Sequence, residues 1–255
     1  MKNKNFKNWL KAKNLKDGIR NFSNVLSNII STAGGVNESD YKAHDVTLQY
    51  WKTSKLHDWL KTHGVNVEFG AIPQFKDGGA GRAYFVGNNV VKFSANPVEA
   101  EVAKMVASNK DVPTPVIDVM HMDGNIHAIL HHKVNMDAPQ KIKDAADYVT
   151  AIVDDHPEMD GFPSDKPTQE KLSIEALKEY GGDMSLLPYM ILVLSSLSKL
   201  YRATGFKHDD AGPTNVGMMG DKIVFPDLGP NQTKDWDAEK ALEKIKQNRM
   251  KLGLN

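Results

Sequence analysis

Four short stretches of this chain gather residue types suited to holding a cation or an anion. His208-Asp209-Asp210-Ala211-Gly212-Pro213-Thr214-Asn215 sets carboxylates and an amide in a loop broken by glycine and proline, and Asp227-Leu228-Gly229 adds another carboxylate a little further on. Carboxylate and amide oxygens are hard donors of the kind Mg²⁺ takes. Upstream, Lys92 sits among apolar neighbours in Val90-Val91-Lys92-Phe93, a point charge on an extended segment. Gly78, Gly79 and Gly81 precede it; without a Cβ in the way, backbone N–H groups there can approach an anion such as phosphate. A lysine between apolar residues needs a carboxylate to hold it, and Glu99 and Glu101 compete for that place. On a helical wheel the stripe Val98, Val102, Met105 and Val106 puts Glu99 nearer its centre, so Glu99 is the expected partner and Glu101 the alternative. Taken singly, each feature has an ordinary structural reading: a glycine run is a turn, a lone lysine snorkels to solvent, and an aspartate before Leu-Gly caps a turn.

The elements that must position these residues change in texture along the chain. Apolar residues at helical spacing from Ile19 to Ile30 end at Gly34-Gly35, and a second helical stretch runs from Ser39 or Asp40 through Trp51 and Trp59 to Gly64. Residues 1–64 therefore read as a helical extension. Short segments rich in Val, Ile and Phe follow, VNVEFGAIPQF, AYFVGNNVVKF, TPVIDVMHM and NIHAILHHKV, and these read as strands. The Gly87-Asn88-Asn89 stretch turns Tyr84–Val86 back onto Val90–Phe93 as a hairpin. One helix, begun at Pro97 and ended by Pro113 and Pro115, is inserted between the strands. After Asn135 the pattern is loops and helices, with an irregular stretch from Asp154 to Pro167. Then come a long helix from about Pro188 to Gly205, two short strands about Gly220-Asp221, and a charged helix from about Trp236 to Leu252. The expected class is α+β, with a small antiparallel sheet followed by a mainly helical half.

Composition narrows the classes further. The 255 residues carry 32 basic and 32 acidic side chains, 40% hydrophobic and 25% charged residues, the profile of a globular protein and not of a disordered or collagen-like one. Cysteine is absent, which excludes disulfides, thiolate metal sites and a cysteine nucleophile and suits a reducing, cytoplasmic setting. No apolar run approaches the roughly 20 residues needed to cross a bilayer, and the start of the chain has no apolar stretch of the signal kind, so no membrane partner is expected. The first twenty residues are locally basic, Lys2, Lys4, Lys7, Lys11, Lys13, Lys16 and Arg20 against Asp17. So short a patch in a balanced chain reads first as a solvated helix or tail, with an arm for nucleic acid or another acidic surface as the alternative.

The ordered conjunction of these motifs resembles the protein kinase-like superfamily, which includes Ser/Thr protein kinases and aminoglycoside-type small-molecule kinases. His208 to Asn215 matches the catalytic loop H-x-D-x-x-x-x-N, Asp227-Leu228-Gly229 resembles D-F-G, Lys92 looks like the lysine of V-A-I-K, and Gly79-Ala80-Gly81 looks like the start of the glycine-rich loop. The match covers roughly residues 70 to 230.

That resemblance implies a bilobal kinase-like fold, with 65–135 as the small lobe and 136–255 as a reduced helical lobe. It implies phosphoryl transfer from ATP with Mg²⁺ to a hydroxyl on a protein or small molecule, where the protein positions reactants and neutralises spread charge. Asp210 would orient the attacking hydroxyl, Asn215 and Asp227 would hold Mg²⁺, and Lys92, fixed by Glu99, would meet the phosphates under Gly79 and Gly81. His208 would be a scaffold residue. The segment Ile129 to Asn135 would be the hinge beside adenine, with Leu130 and His132 as its contacts.

The chain also departs from the pattern. Tyr84 stands where the third loop glycine falls, and Gly212 where Ser/Thr kinases have lysine. With 26 residues after Gly229, the usual activation segment and peptide platform are not expected. The alternatives are therefore a small-molecule kinase, a nucleotide-binding pseudokinase, or transfer of AMP on the same fold.

Overall fold

The computed structural model describes residues 47–78, 81–156, 159, 161–229 and 237–254. The helix expected over Ile19–Ile30, the basic N-terminal patch and Gly79 lie outside the described residues. The chain divides into two compact units, Met1–Gln74 with Glu179–Gly182, and Phe75–Lys178 with Asp183–Asn255.

Within the first unit a helical turn over 47–50 is interrupted at Trp51–Thr53, and α1 (Ser54–Thr62) begins afresh. The second expected helix is thus not continuous, because Thr53 acts as an N-cap whose Oγ1 accepts from Leu56 N. His57 Nε2 donates to the Trp51 carbonyl at 2.8 Å, closing the break. VNVEFGAIPQF is no strand before Phe75. Its Val and Phe content suggests extension, but Gly70 has φ 79° within a turn, and no ladder partner is found for 65–74.

The second unit carries a five-stranded antiparallel sheet of β1 (Phe75–Gly78), β2 (Gly81–Val86), β3 (Asn89–Ser94), β4 (Val116–Asp123) and β5 (Ile126–His132), in the order β1-β2-β3-β5-β4. The expected β2–β3 hairpin is present, with Tyr84 opposite Val91 and Val86 opposite Asn89. Helix α2 (Pro97–Ala107) packs on β4. Its start is fixed chemically: Pro97 is at the first turn and Asn96 Oδ1 accepts from Val98 N at 3.0 Å and Glu99 N at 3.3 Å. Val98, Val102 and Val106 are buried along its inner face, and Glu99 is buried with them.

Beyond the sheet, α3 (Gln140–Asp155) packs against α5 (Leu187–Thr204), with α4 (Lys166–Tyr180) between them in sequence. The chain is α+β, as expected. The two-stranded hairpin of β6 (Gly217–Met219) and β7 (Lys222–Val224) is tied to the segment after β5 by a bridge between Asn135 and Met218. Glycine is required at 217, because a Cβ there would lie 2.3 Å from Val134 Cγ1.

Residues 184–204 form one helical stretch that is long and apolar enough to cross a membrane by length and composition. The reading that no segment approaches that length is corrected here. A short 3₁₀ turn over Met184–Leu186 runs directly into α5 and extends it. Met190, Val193, Leu194 and Leu197 of this helix are fully buried among the other elements, the arrangement of a core helix.

The C-terminal helix α6 (Ala238–Lys251) packs on α2 and α5. Gly205 ends α5 with φ 73°, and its carbonyl accepts from Asn248 Nδ2 at 2.9 Å. A Cβ at 205 would sit 2.7 Å from the Ile245 carbonyl oxygen, on top of the strain of a left-handed backbone. Gly205→Ala should therefore cost at least about 1–2 kcal/mol, read as a lower urea midpoint. Gly220→Asn, at a positive φ with open space around it, should cost less than half of that.

Candidate functional site

The sheet carries Lys92 on the middle of β3, and its ammonium is held by two carboxylates. Nζ donates to Glu99 Oε1 at 2.5 Å and to Asp227 Oδ1 at 3.2 Å. Glu99 is 1% exposed, and its second oxygen accepts from Ser94 Oγ at 2.7 Å. Glu101 instead lies on the outer side of α2, within 3.9 Å of Lys104. Of the two acids the sequence leaves open, Glu99 is the one the fold turns inward.

Burial works against the charged form of Lys92, yet Glu99 and Asp227 outweigh it and hold the ammonium above the ordinary lysine range. Burial also pushes the Glu99 carboxyl up, against the pull of Lys92 and Ser94. Asp227 is 53% exposed. What burial it has would raise its carboxyl, but Lys92 and the Gly229 N–H hold it below the usual range. Both of its hydrogen bonds fall on Oδ1.

Asn215 ties the loop to the Asp-Leu-Gly segment. Its Nδ2 donates to the carbonyls of Asp210 at 2.8 Å and Asp227 at 3.0 Å, and its Oδ1 accepts from Asp227 N at 3.0 Å. The expected role is refined accordingly: Asn215 is first a clamp between two backbones, with one lone pair of Oδ1 left for a cation. His208 is fully buried, lies tilted against Phe206 and edge-to-face with Phe225, and meets Asn215 Nδ2 at 3.4 Å through Nε2.

Lys92, Asn215 and Asp227 border a cleft of about 860 Å³ whose walls also include Ala83, Val90, His131 and His132. Lys133 of the expected hinge and Thr214 of the expected loop also line it, together with Lys76 and Asp137, which the sequence reading did not single out. Leu130 does not line it. Leu130 pairs with Val91, so by strand alternation it faces the opposite side of the sheet from Lys92, where it is fully buried. Its neighbour His131 is on the cleft side. Gly81 opens β2 opposite Ser94. Asp210 is exposed and stands beside the cleft and not on its wall, its backbone held by Asn215.

Among the described residues no group of three or more His, Asp or Glu side chains converges to hold a metal ion. The donors present still fit a hard cation that takes most of its shell from phosphate and water. Asp227 Oδ2 carries no hydrogen bond, and Asn215 Oδ1 lies beside the Asp227 backbone. Comparison of the chain with protein-family models, with curated proteins and with solved structures found no match.

The geometry has two consequences for stability. Lys92→Met leaves the Glu99 carboxylate enclosed without its cation and should cost about 3–5 kcal/mol, most of it recovered in Lys92→Met/Glu99→Leu. A urea double-mutant cycle reads this, and a fully stable Lys92→Met would contradict the pairing. Burial also lowers the pKa of His208 to about 4 and of His131 to about 3, so both rings are neutral in the folded protein. Their contribution is complete above about pH 6.5 and is lost as pH falls towards 4, because the unfolded chain takes up protons that the folded chain refuses. The unfolding free energy, read from urea titrations at pH 7, 6 and 5, should fall with a slope approaching about 1.4 kcal/mol per pH unit for each ring below pH 6; a flat profile would show that the rings are not buried neutral.

Proposed function

We propose that this chain is a kinase-like phosphotransferase with a bilobal fold, which moves the γ-phosphoryl group of a nucleoside triphosphate to a hydroxyl acceptor. The observation that carries this reading is the Lys92–Glu99–Asp227 cluster at the wall of a cleft large enough for a nucleotide. A lysine fixed by a buried acid on a helix, with a half-exposed carboxylate beyond it, is an arrangement for receiving phosphate oxygens and a cation. A Mg²⁺ ion on Asp227 and Asn215 would supply charge neutralisation at the phosphates.

The chain's own residues do the rest. Lys92 Nζ has three N–H donors and spends two on carboxylates, leaving one for a phosphate oxygen. Asn215 fixes the backbone of Asp210 relative to that of Asp227. Asp210 thereby stands at the edge of the cleft, where its carboxylate orients the acceptor hydroxyl and takes up its proton. A Ser/Thr protein acceptor is preferred slightly over a small molecule, and the setting is cytoplasmic, where ATP and Mg²⁺ are supplied.

One observation favours a second reading, a pseudokinase that binds nucleotide without turnover: both polar atoms of the Asn215 amide are occupied by backbone groups. Incubation with γ-labelled and α-labelled ATP separates the readings. Label from γ alone means phosphoryl transfer, label from α means AMP transfer, and neither with nucleotide still bound means the binder. For an active protein, Asp210→Ala should leave Mg²⁺-ATP affinity within about twofold while turnover drops by roughly 10²-fold or more. Equal rates in the two proteins would remove Asp210 from the mechanism.

A further inference from the structure

The cleft wall beside Lys92 carries a polar side chain that the proposed transfer does not use. On β3 and β5, Lys92 stands opposite Ile129 and Val90 opposite His131. Directly opposed residues of antiparallel strands project from the same face, so His131 lies with Val90 on the face that carries Lys92. Val90, Lys92 and His131 all line the cleft. His131 is 5% exposed, and its Nε2 is enclosed without any hydrogen-bond partner. Buried polar atoms are almost always paired, so this one calls for an explanation.

The main chain beside it is already committed. His132 N donates to the Pro115 carbonyl at 2.8 Å, Lys133 N to Asn88 at 2.8 Å, and Asn135 N to Met218 at 3.3 Å. Three of the backbone donors that could read the edge of a flat ligand here are therefore held by the protein itself. The His131 imidazole, on the same wall, makes no hydrogen bond to the protein. A neutral imidazole carries one donor and one acceptor nitrogen, and no contact in the structure fixes which is which.

We propose that His131 is a base-reading residue that bonds the substituent at C6 of a purine, turning its N–H to a carbonyl or its lone pair to an amine, so that the cleft accepts GTP as well as ATP. This inference rests on the nucleotide reading of the site. An aliphatic residue at 131 would offer neither partner, a cationic one only donors and a carboxylate only acceptors.

Calorimetric titration of Mg²⁺-ATP and Mg²⁺-GTP into the full chain tests it, with wild type beside His131→Leu and His131→Gln. Wild type should bind the two nucleotides with dissociation constants within about tenfold of each other. His131→Leu should weaken both by about five- to tenfold, the scale of one neutral hydrogen bond. His131→Gln, whose amide also offers a donor and an acceptor, should keep both. The urea midpoint of His131→Leu without nucleotide should equal or exceed that of wild type, since an unpaired buried nitrogen is removed. A merely structural histidine would instead lose stability and leave affinity unchanged. Should His131→Leu not fold, His131→Met makes the same comparison. ATP bound without GTP, or unchanged affinities in the apolar variant, would overturn the inference alone. Binding of neither nucleotide by wild type would overturn the nucleotide reading and this inference with it.

Discussion

Enclosing the Glu99 carboxylate is the constraint on which the rest of the second unit depends. At 1% exposure an unpaired carboxylate is intolerable, so Lys92 must reach it, and Ser94 must supply the remaining hydrogen bond. Those demands fix the facing of β3 and the rotation of α2. The Asn96 cap and Pro97 then have to stand where they do for Glu99 to fall on the inner side of the first turn. The helix cannot rotate outward without stranding a charge. Its far face is closed by α6, which is itself held at Gly205 through Asn248.

A second link carries this order from the sheet to the loops. The β6–β7 hairpin separates Asn215 from Asp227 in sequence, and the Asn215 amide closes it by bonding backbone on both sides. The hairpin is also bridged to Asn135, a few residues after β5. Sheet, hairpin and Asp-Leu-Gly segment are therefore one hydrogen-bonded frame. Asp227 reaches Lys92 because that frame sets its backbone, and the Gly229 N–H then fixes which oxygen faces the ammonium.

Much of this was legible before any coordinates. Helix caps are local chemistry, so Asn96-Pro97 and Gly205 announce the ends of α2 and α5 in the sequence itself. The stripe on α2 selected Glu99 over Glu101 because helical periodicity is set within a single element. The cleft wall on β5 was not legible in the same way. Ala128 to His131 are all buried, so alternation of polarity is lost, and which of Leu130 and His131 faces Lys92 depends on register with β3. Only the fact that Lys92 pairs with Ile129 decides it. The strand reading of 65–74 failed for a related reason, since β-branched composition signals a half-buried surface and not a ladder partner. Continuity through Trp51–Thr53 failed because a Thr-Ser pair inside an apolar-periodic stretch can serve either as interior or as cap.

The cluster's charges are not shared evenly. Two carboxylates share one ammonium, and their environments are unequal: Glu99 is enclosed, Asp227 half in water. An ion pair in low dielectric is stronger and less screened than one at a wet surface. Lys92 is thus bound firmly to Glu99 and only exchangeably to Asp227. The enclosed acid holds the lysine's charge at the cleft wall, while the exposed acid keeps one oxygen without a hydrogen bond, turned away from the ammonium. Had Asp227 been the buried partner, recruiting it as a ligand would have meant breaking the interaction that orients α2. The separation of the two acids, one enclosed and one half-exposed, lets a single lysine fix α2 against the sheet and still leave one of its N–H donors uncommitted at the cleft wall.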